Sequence, residues 1–314
     1  MATEAGTYTG RVMIRLIGLV GAPFALICVG CSTAPNVAKP AAPVPVAGKH
    51  DSTVRVVARH WALHRSPGSW RYRIESNATV VLAGDSTAPS APIHSTAIYS
   101  LGVDTAGASG GFHITGRVDS LVLAAGGRVP SRPVDSTASE FTAQIDSTSG
   151  LTDVTMGGAE RSMCAGGVNP VVVAGLALFV SAPANVEQGS VWHDSTSMTT
   201  CRGNVAVVSK LQRTFELVDT VTWNGQSVLR VNVTAASAIA GEGLASAAGD
   251  SISVTGTGTS SGTLLMDPTS LMPVSSTTTG TTAVTVHSRQ TTLPFKQQVT
   301  ETVTLLEHHG LKEP

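Results

Sequence analysis

From residue 70 onward, apolar side chains recur at every second position over short stretches, and segments rich in Gly, Ser, Thr, Asp and Pro separate them. Within 70–82 the alternation picks out Tyr72, Ile74, Val80 and Leu82, the period of a strand with one buried face. Comparable segments begin at Thr96, Tyr99 and Phe112, and the stretch from Phe141 to Gly158 reads as strand, turn and strand. The second half repeats the pattern from Thr214 to Trp223, from Ser227, from Asp250 to Asp267, from Met272 to Ser288, and in a last strand from Gln297. Asn224-Gly225 predicts a tight two-residue hairpin, because both residues tolerate positive φ.

One stretch breaks the period of two. Asn169 followed by Pro170 and an apolar run up to Pro183 reads as an N-cap, a first-turn proline and about three helical turns. Its valines leave a buried strand as the alternative. A helix apolar nearly all round must be buried, and this one falls between two halves against which it could pack.

Those halves look like a diverged duplication. Gly68-Ser69 with Trp70 recurs as Gly189-Ser190 with Trp192, and Asp146-Ser147-Thr148-Ser149 recurs as Asp267-Pro268-Thr269-Ser270, both at an offset of 121 positions. The predicted fold is therefore mainly β. Two antiparallel repeats, each a curved sheet or half-barrel, occupy 51–163 and 189–314. A connecting segment over 164–188 carries one short apolar helix.

Ahead of this region the pattern changes. The apolar run from Leu16 to Gly30, flanked by Arg11 and Arg15, is shorter than the about 20 residues of a membrane span and gives way abruptly to Ala and Pro. It reads as a signal sequence. Cys31 follows the small Gly30 at its end, an arrangement that resembles a bacterial lipoprotein signal in which the cysteine becomes the lipidated N-terminus. Cys28 departs from the Leu usual in such a signal, and an ordinary cleaved signal or an uncleaved anchor is the alternative. A start at Met13 would give a compact leader. Residues 1–30 are thus expected to be a signal peptide and 31–50 a Pro/Ala-rich tether, semi-rigid and extended. The expected location is the cell envelope, with a lipid anchor in the membrane; without the lipid the protein would be secreted.

Composition agrees with a β-rich exported body. Only 13% of residues are charged and 4% aromatic, and the formal net charge is -1. Thr and Val suit pleated, half-buried surfaces. A near-neutral chain without basic clusters lacks the electrostatic footprint of a nucleic-acid binder. With Cys28 in the leader and Cys31 lipidated, Cys164 and Cys201 remain, and an oxidising compartment favours a disulfide between them. Closing that loop would contribute roughly 3–4 kcal/mol.

Chemistry is sparse. His193-Asp194-Ser195 places triad residue types side by side, but neighbours on a strand point to opposite faces, and a turn after Trp192 is the preferred reading. Asp-Ser-Thr also occurs at Asp51, Asp85, Asp135 and Asp146, which points to turn capping. His60 and His64 have the helical spacing of a zinc pair but no third ligand, so surface or strand histidines are expected. His308-His309 reads as solvated. Gly256 to Gly262 lacks the lysine of a phosphate loop and reads as a flexible hairpin. No cofactor and no metal site are expected.

A Gly-polar-Trp turn at Gly189–Trp192, and a D-x-x-T-G type turn at Asp146–Gly150 with a degraded copy at Asp267–Ser270, resemble the motifs of a family of uncharacterised bacterial envelope lipoproteins. The resemblance spans most of the chain after the tether. It implies a β-rich domain and lends no activity. The function expected is non-catalytic: a tethered envelope protein whose curved sheets bind an apolar or amphipathic ligand. A structural or adhesive module contacting another envelope protein or a glycan is the alternative, and a hydrolase using His193, Asp194 and Ser195 ranks below both.

Overall fold

The computed structural model describes residues 60–82, 91–105, 111–125, 140–146, 150–156, 170–202, 204–244 and 251–310. The leader, Cys31, the tether and Cys164 lie outside them. Two short strands, β1 (His60–Ala62) and β7 (Asn185–Glu187), pair with each other, and all the rest form one sheet of eleven strands. The first half supplies β2 (Gly68–Leu82), β3 (Ala91–Thr105), β4 (Phe112–Ala125), β5 (Glu140–Asp146) and β6 (Gly150–Met156). After helix α1 (Pro170–Leu176), the second half supplies β8 (Val191–Arg202), β9 (Asn204–Trp223), β10 (Gln226–Leu244), β11 (Ser251–Met266), β12 (Pro273–Ser288) and β13 (Thr292–Gly310).

Every pairing is antiparallel, and the spatial order is β6-β5-β4-β3-β2-β13-β12-β11-β10-β9-β8. Each half is a meander, and the two are joined in the middle where β13 pairs with β2 along Phe295↔Leu82 to Gly310↔Gly68. The sheet curls until its edges β6 and β8 touch, giving a nearly closed barrel. α1 lies in the chain between these two edge strands. The duplicated landmarks occupy matching places: Trp70 and Trp192 lie near the start of the first strand of each half, and the Asp146 and Asp267 turns both follow the fourth. Among the described residues no helix is long and apolar enough to cross a membrane.

The alternation read from sequence is the inside-outside alternation of this sheet. On β2, Trp70, Tyr72, Ile74, Ser76 and Ala78 are buried while the alternate residues between them are more exposed. Asn224 and Gly225 form the β9–β10 hairpin with φ of 47° and 80°, the doubly positive turn that matches strand twist. At the β11–β12 turn, the Asp267 carboxylate accepts hydrogen bonds from the Thr269 amide, the Thr269 hydroxyl and the Ser270 hydroxyl at 2.8–2.9 Å. Of the Asp-Ser-Thr aspartates read as turn caps, Asp51, Asp85 and Asp135 lie outside the described residues.

Three expectations need correction. The helix is seven residues long and not three turns; beyond Leu176 it ends in a tighter turn, Leu178 N to Gly175 O and Phe179 N to Leu176 O, and the carbonyls of Ala177 and Phe179 are taken by Arg213. Residues 193–196 are not a turn but the middle of β8, held by pairing from Val191↔Glu216 to Arg202↔Val205. The Gly256–Gly262 segment is continuous strand in β11, because its inward glycines let neighbouring strands lie close: a Cβ on Gly256 would sit 2.8 Å from the Ala283 carbonyl. His60 lies in strand β1 and His64 just after it, both exposed, as expected of surface or strand histidines.

Candidate functional site

α1 and the segment after it plug the curved sheet. Val172, Val173, Ala174, Leu176, Leu178 and Phe179 pack into a cluster with Trp70, Tyr72, Tyr99, Phe141 and Met272, while Val180 joins a second cluster around Trp192, Phe215 and Leu229. The plug thus bridges both halves. Its C-terminal carbonyls would be orphans in this interior, and two arginines satisfy them. Arg213 on β9 donates to Ala177 O at 2.8 Å and Phe179 O at 2.9 Å, and holds Asp194 on β8 through Nε and Nη2, each at 2.7 Å. Arg65 donates to Val180 O at 2.8 Å and lies over the Phe179 ring. Burial lowers the Arg65 pKa to about 10, which leaves it charged at neutral pH. Opposite, the buried Tyr72 hydroxyl donates to Pro273 O at 2.8 Å across the interior.

Between this plug and the inner face of the sheet lies a cavity of about 130 Å³. Val173, Ala174, Ala177 and Leu178 form its roof, and Met198, Leu211, Phe215, Val233, Leu264 and Val303 supply apolar walls. The floor is different. Ser209, Ser260, Ser276, Thr278 and Glu301 bring polar groups to inward positions of β9, β11, β12 and β13. The hydroxyls of Ser209 and Ser260 are buried with no hydrogen-bond partner, and so are those of Ser237 and Thr282 and the amide of Gln297 on neighbouring inward positions. They form a polar belt between the plugged end and a third apolar cluster, around Ile239, Val254, Val286 and Phe295, at the opposite end.

Glu301 stands out within the belt. It sits between Thr278 on β12 and Ser76 on β2 in register. It makes no salt bridge among the described residues. Removal from water pushes its pKa up to about 8, so the carboxyl is mostly protonated at neutral pH. Tyr99 is pushed well above the usual phenol range, first by its own burial and then by Glu301.

The residues singled out from sequence do not assemble. Asp194 points inward to Arg213, whereas His193 faces out and bonds the Thr214 hydroxyl at 2.9 Å, and Ser195 is exposed on that outer face. The three side chains are therefore not brought together. Cys201 lies in β8, but its expected disulfide partner Cys164 falls outside the described residues, as does Cys31. His308 stacks on Trp70 at 5.1 Å and is not purely solvated, while His309 is exposed. Among the described residues no three His, Cys, Asp or Glu side chains group as metal ligands. The floor residues were missed, although β13 carries their signal: in the inward series Phe295, Gln297, Val299, Glu301, Val303, two polar residues occupy an apolar register.

No family model and no curated protein matches the chain. Among solved structures, DynF from the dynemicin biosynthesis pathway of Micromonospora chersina is similar over 87% of this chain and 94% of its own, at 7% identity and a TM-score of 0.24. OpdO of Pseudomonas aeruginosa is similar over 78% and 99%, at 10% identity and a TM-score of 0.17.

Proposed function

We propose that this is a non-catalytic binding protein of the cell envelope, tethered through a lipid on Cys31, whose curled sheet receives an apolar or amphipathic ligand. The supporting observation is the cavity beneath α1, walled by apolar side chains and floored by buried polar groups that have no protein partner. Interior polar groups without partners are costly, about 1–3 kcal/mol each, and a site that binds a polar function is one reason to keep them. The lipoprotein-type leader and the Pro/Ala tether place such a body beside a membrane, where amphipathic ligands are concentrated. Native mass spectrometry of the purified protein before and after organic extraction tests this. A co-purifying small molecule lost on extraction is expected; a ligand-free mass together with no uptake of apolar probes refutes it.

A second reading rests on the outer face. A groove of about 520 Å³ there is bordered by Arg71, Arg117, Glu140, Glu307 and His309, a polar surface suited to a glycan or an envelope protein. Crosslinking in intact cells through a residue placed at Thr115 would trap a discrete partner if this groove is the working surface.

A further inference from the structure

We propose that the interior site selects a lipophilic amine, with Glu301 as the counter-group for its ammonium. The inference rests on the interior-binding reading above and names the ligand class.

The geometry carries it. The cavity holds one acid and no available cation. Arg213, the other ionisable residue on its wall, spends four of its five N–H donors on Asp194 and on the Ala177 and Phe179 carbonyls. A ligand carboxylate or phosphate would therefore be buried without a partner and beside an acid, which is strongly unfavourable. A hydroxyl could use the serines but would leave the acid unmatched. An ammonium brings three donors and a charge, and the floor provides a counter-group at Glu301, with Thr278 directly opposite it in register on β12. The volume sets the size of what fits without rearrangement. A cavity near 150 Å³ accommodates benzene, so about 130 Å³ takes a head group with a few carbons.

Binding must release a proton. Free Glu301 is mostly protonated below about pH 8, and pairing with an ammonium requires the carboxylate, so its proton passes to solvent as the cation enters. The ionisable groups around it are Arg213 on β9 with its partner Asp194 on β8, Tyr99 on β3, and Arg65 beside the end of the plug. Among residues 170–182, the plug itself contributes none. With Tyr99 held well above the phenol range by burial, Glu301 is the group whose proton is exchanged on binding.

The test uses three probes of equal length: hexylammonium, hexanol and hexanoate, titrated into the purified protein and followed by ligand-observed NMR at pH 6, 7 and 8. Hexylammonium should bind about tenfold or more tighter than hexanol at pH 8, hexanoate should be weakest, and the amine affinity should rise roughly tenfold between pH 6 and pH 7. In Glu301→Gln, checked for folding by its unfolding transition, the amine-to-alcohol ratio should shrink to within about twofold and lose its pH dependence. Glu301→Asp should retain the pH dependence. If hexanol binds as well as hexylammonium in the wild type, or the preference survives in Glu301→Gln, the Glu301 assignment is wrong while the interior-binding reading stands. If no probe binds, the interior-binding reading falls and takes this proposal with it.

Discussion

Replacing Asp194 by Ala should destabilise the protein by about 3–5 kcal/mol, because it strands a buried guanidinium. Arg213 and Asp194 have side chains only 11% and 7% exposed, and the carboxylate accepts two of the four hydrogen bonds Arg213 makes. A surface pair would contribute only about 0–1 kcal/mol, so the magnitude discriminates a surface ornament from an interior latch. Removing both partners with an apolar replacement, Asp194→Ala with Arg213→Met, should cost less than the sum of the single changes, since no charge is left buried, although the Ala177 and Phe179 carbonyls lose their donor. Arg213→Lys keeps the charge but not the fork that reaches a carboxylate and two carbonyls together. Urea unfolding of the four proteins gives the coupling, and hydrogen exchange at residues 172–180 reports whether the plug loosens first. A loss below about 1 kcal/mol for Asp194→Ala, or single-mutant costs that simply add, would refute the latch.

Three further outcomes can be measured. Burial raises the folded pKa of Glu301 to about 8 from the ordinary glutamate value of 4.5, so the folded state binds the extra proton between these values. Stability should be fullest below about pH 4.5 on this account and should fall as pH rises toward 8, by up to roughly 1.4 kcal/mol per unit, with the slope abolished in Glu301→Gln; urea midpoints at pH 5, 6.5 and 8 check it. Tyr72→Phe leaves the Pro273 carbonyl without its 2.8 Å donor and should cost about 1–2 kcal/mol by the same assay. Gly225→Ala, at φ 80°, should cost about 1 kcal/mol and act on the β9–β10 hairpin, visible as faster exchange of the Val221 and Val228 amides.

Most strands could be read from sequence because their inward positions are mostly apolar and their outward ones polar, as on β2, where Tyr72, Ile74 and Ala78 face in and Arg71, Arg73, Glu75 and Asn77 face out. β8 could not, and the reason is physical. Its inward series is Trp192, Asp194, Thr196, Met198 and Thr200: Asp194 serves Arg213, while Thr196 and Met198 line the cavity. The alternation that marks a strand is erased where its inner face faces a charge or a cavity instead of packed core. The same cause hid the cavity floor, since Ser209 and Ser260 look like surface residues in one dimension. The plug was legible as an apolar segment, but its length was not: which carbonyls end the helix depends on Arg65 and Arg213, distant in the chain.

The order of the strands explains why the plug sits where it does. Read around the sheet, the second half runs β8 to β13 and the first continues β2 to β6, so one uninterrupted meander has its chain break in the middle and its covalent link across the outer edges. Of the chain between β6 and β8, the apolar residues 172–180 lie inward, where they cover the interior clusters of both halves. Seam, plug and cavity are therefore consequences of one topology. The cavity of about 130 Å³ lies below the 300–1,000 Å³ of most small-molecule sites. A ligand with a body longer than the hexyl probes must displace the link rather than any paired strand, because the link is held by side-chain hydrogen bonds from Arg65 and Arg213, whereas the strands are held by continuous ladders.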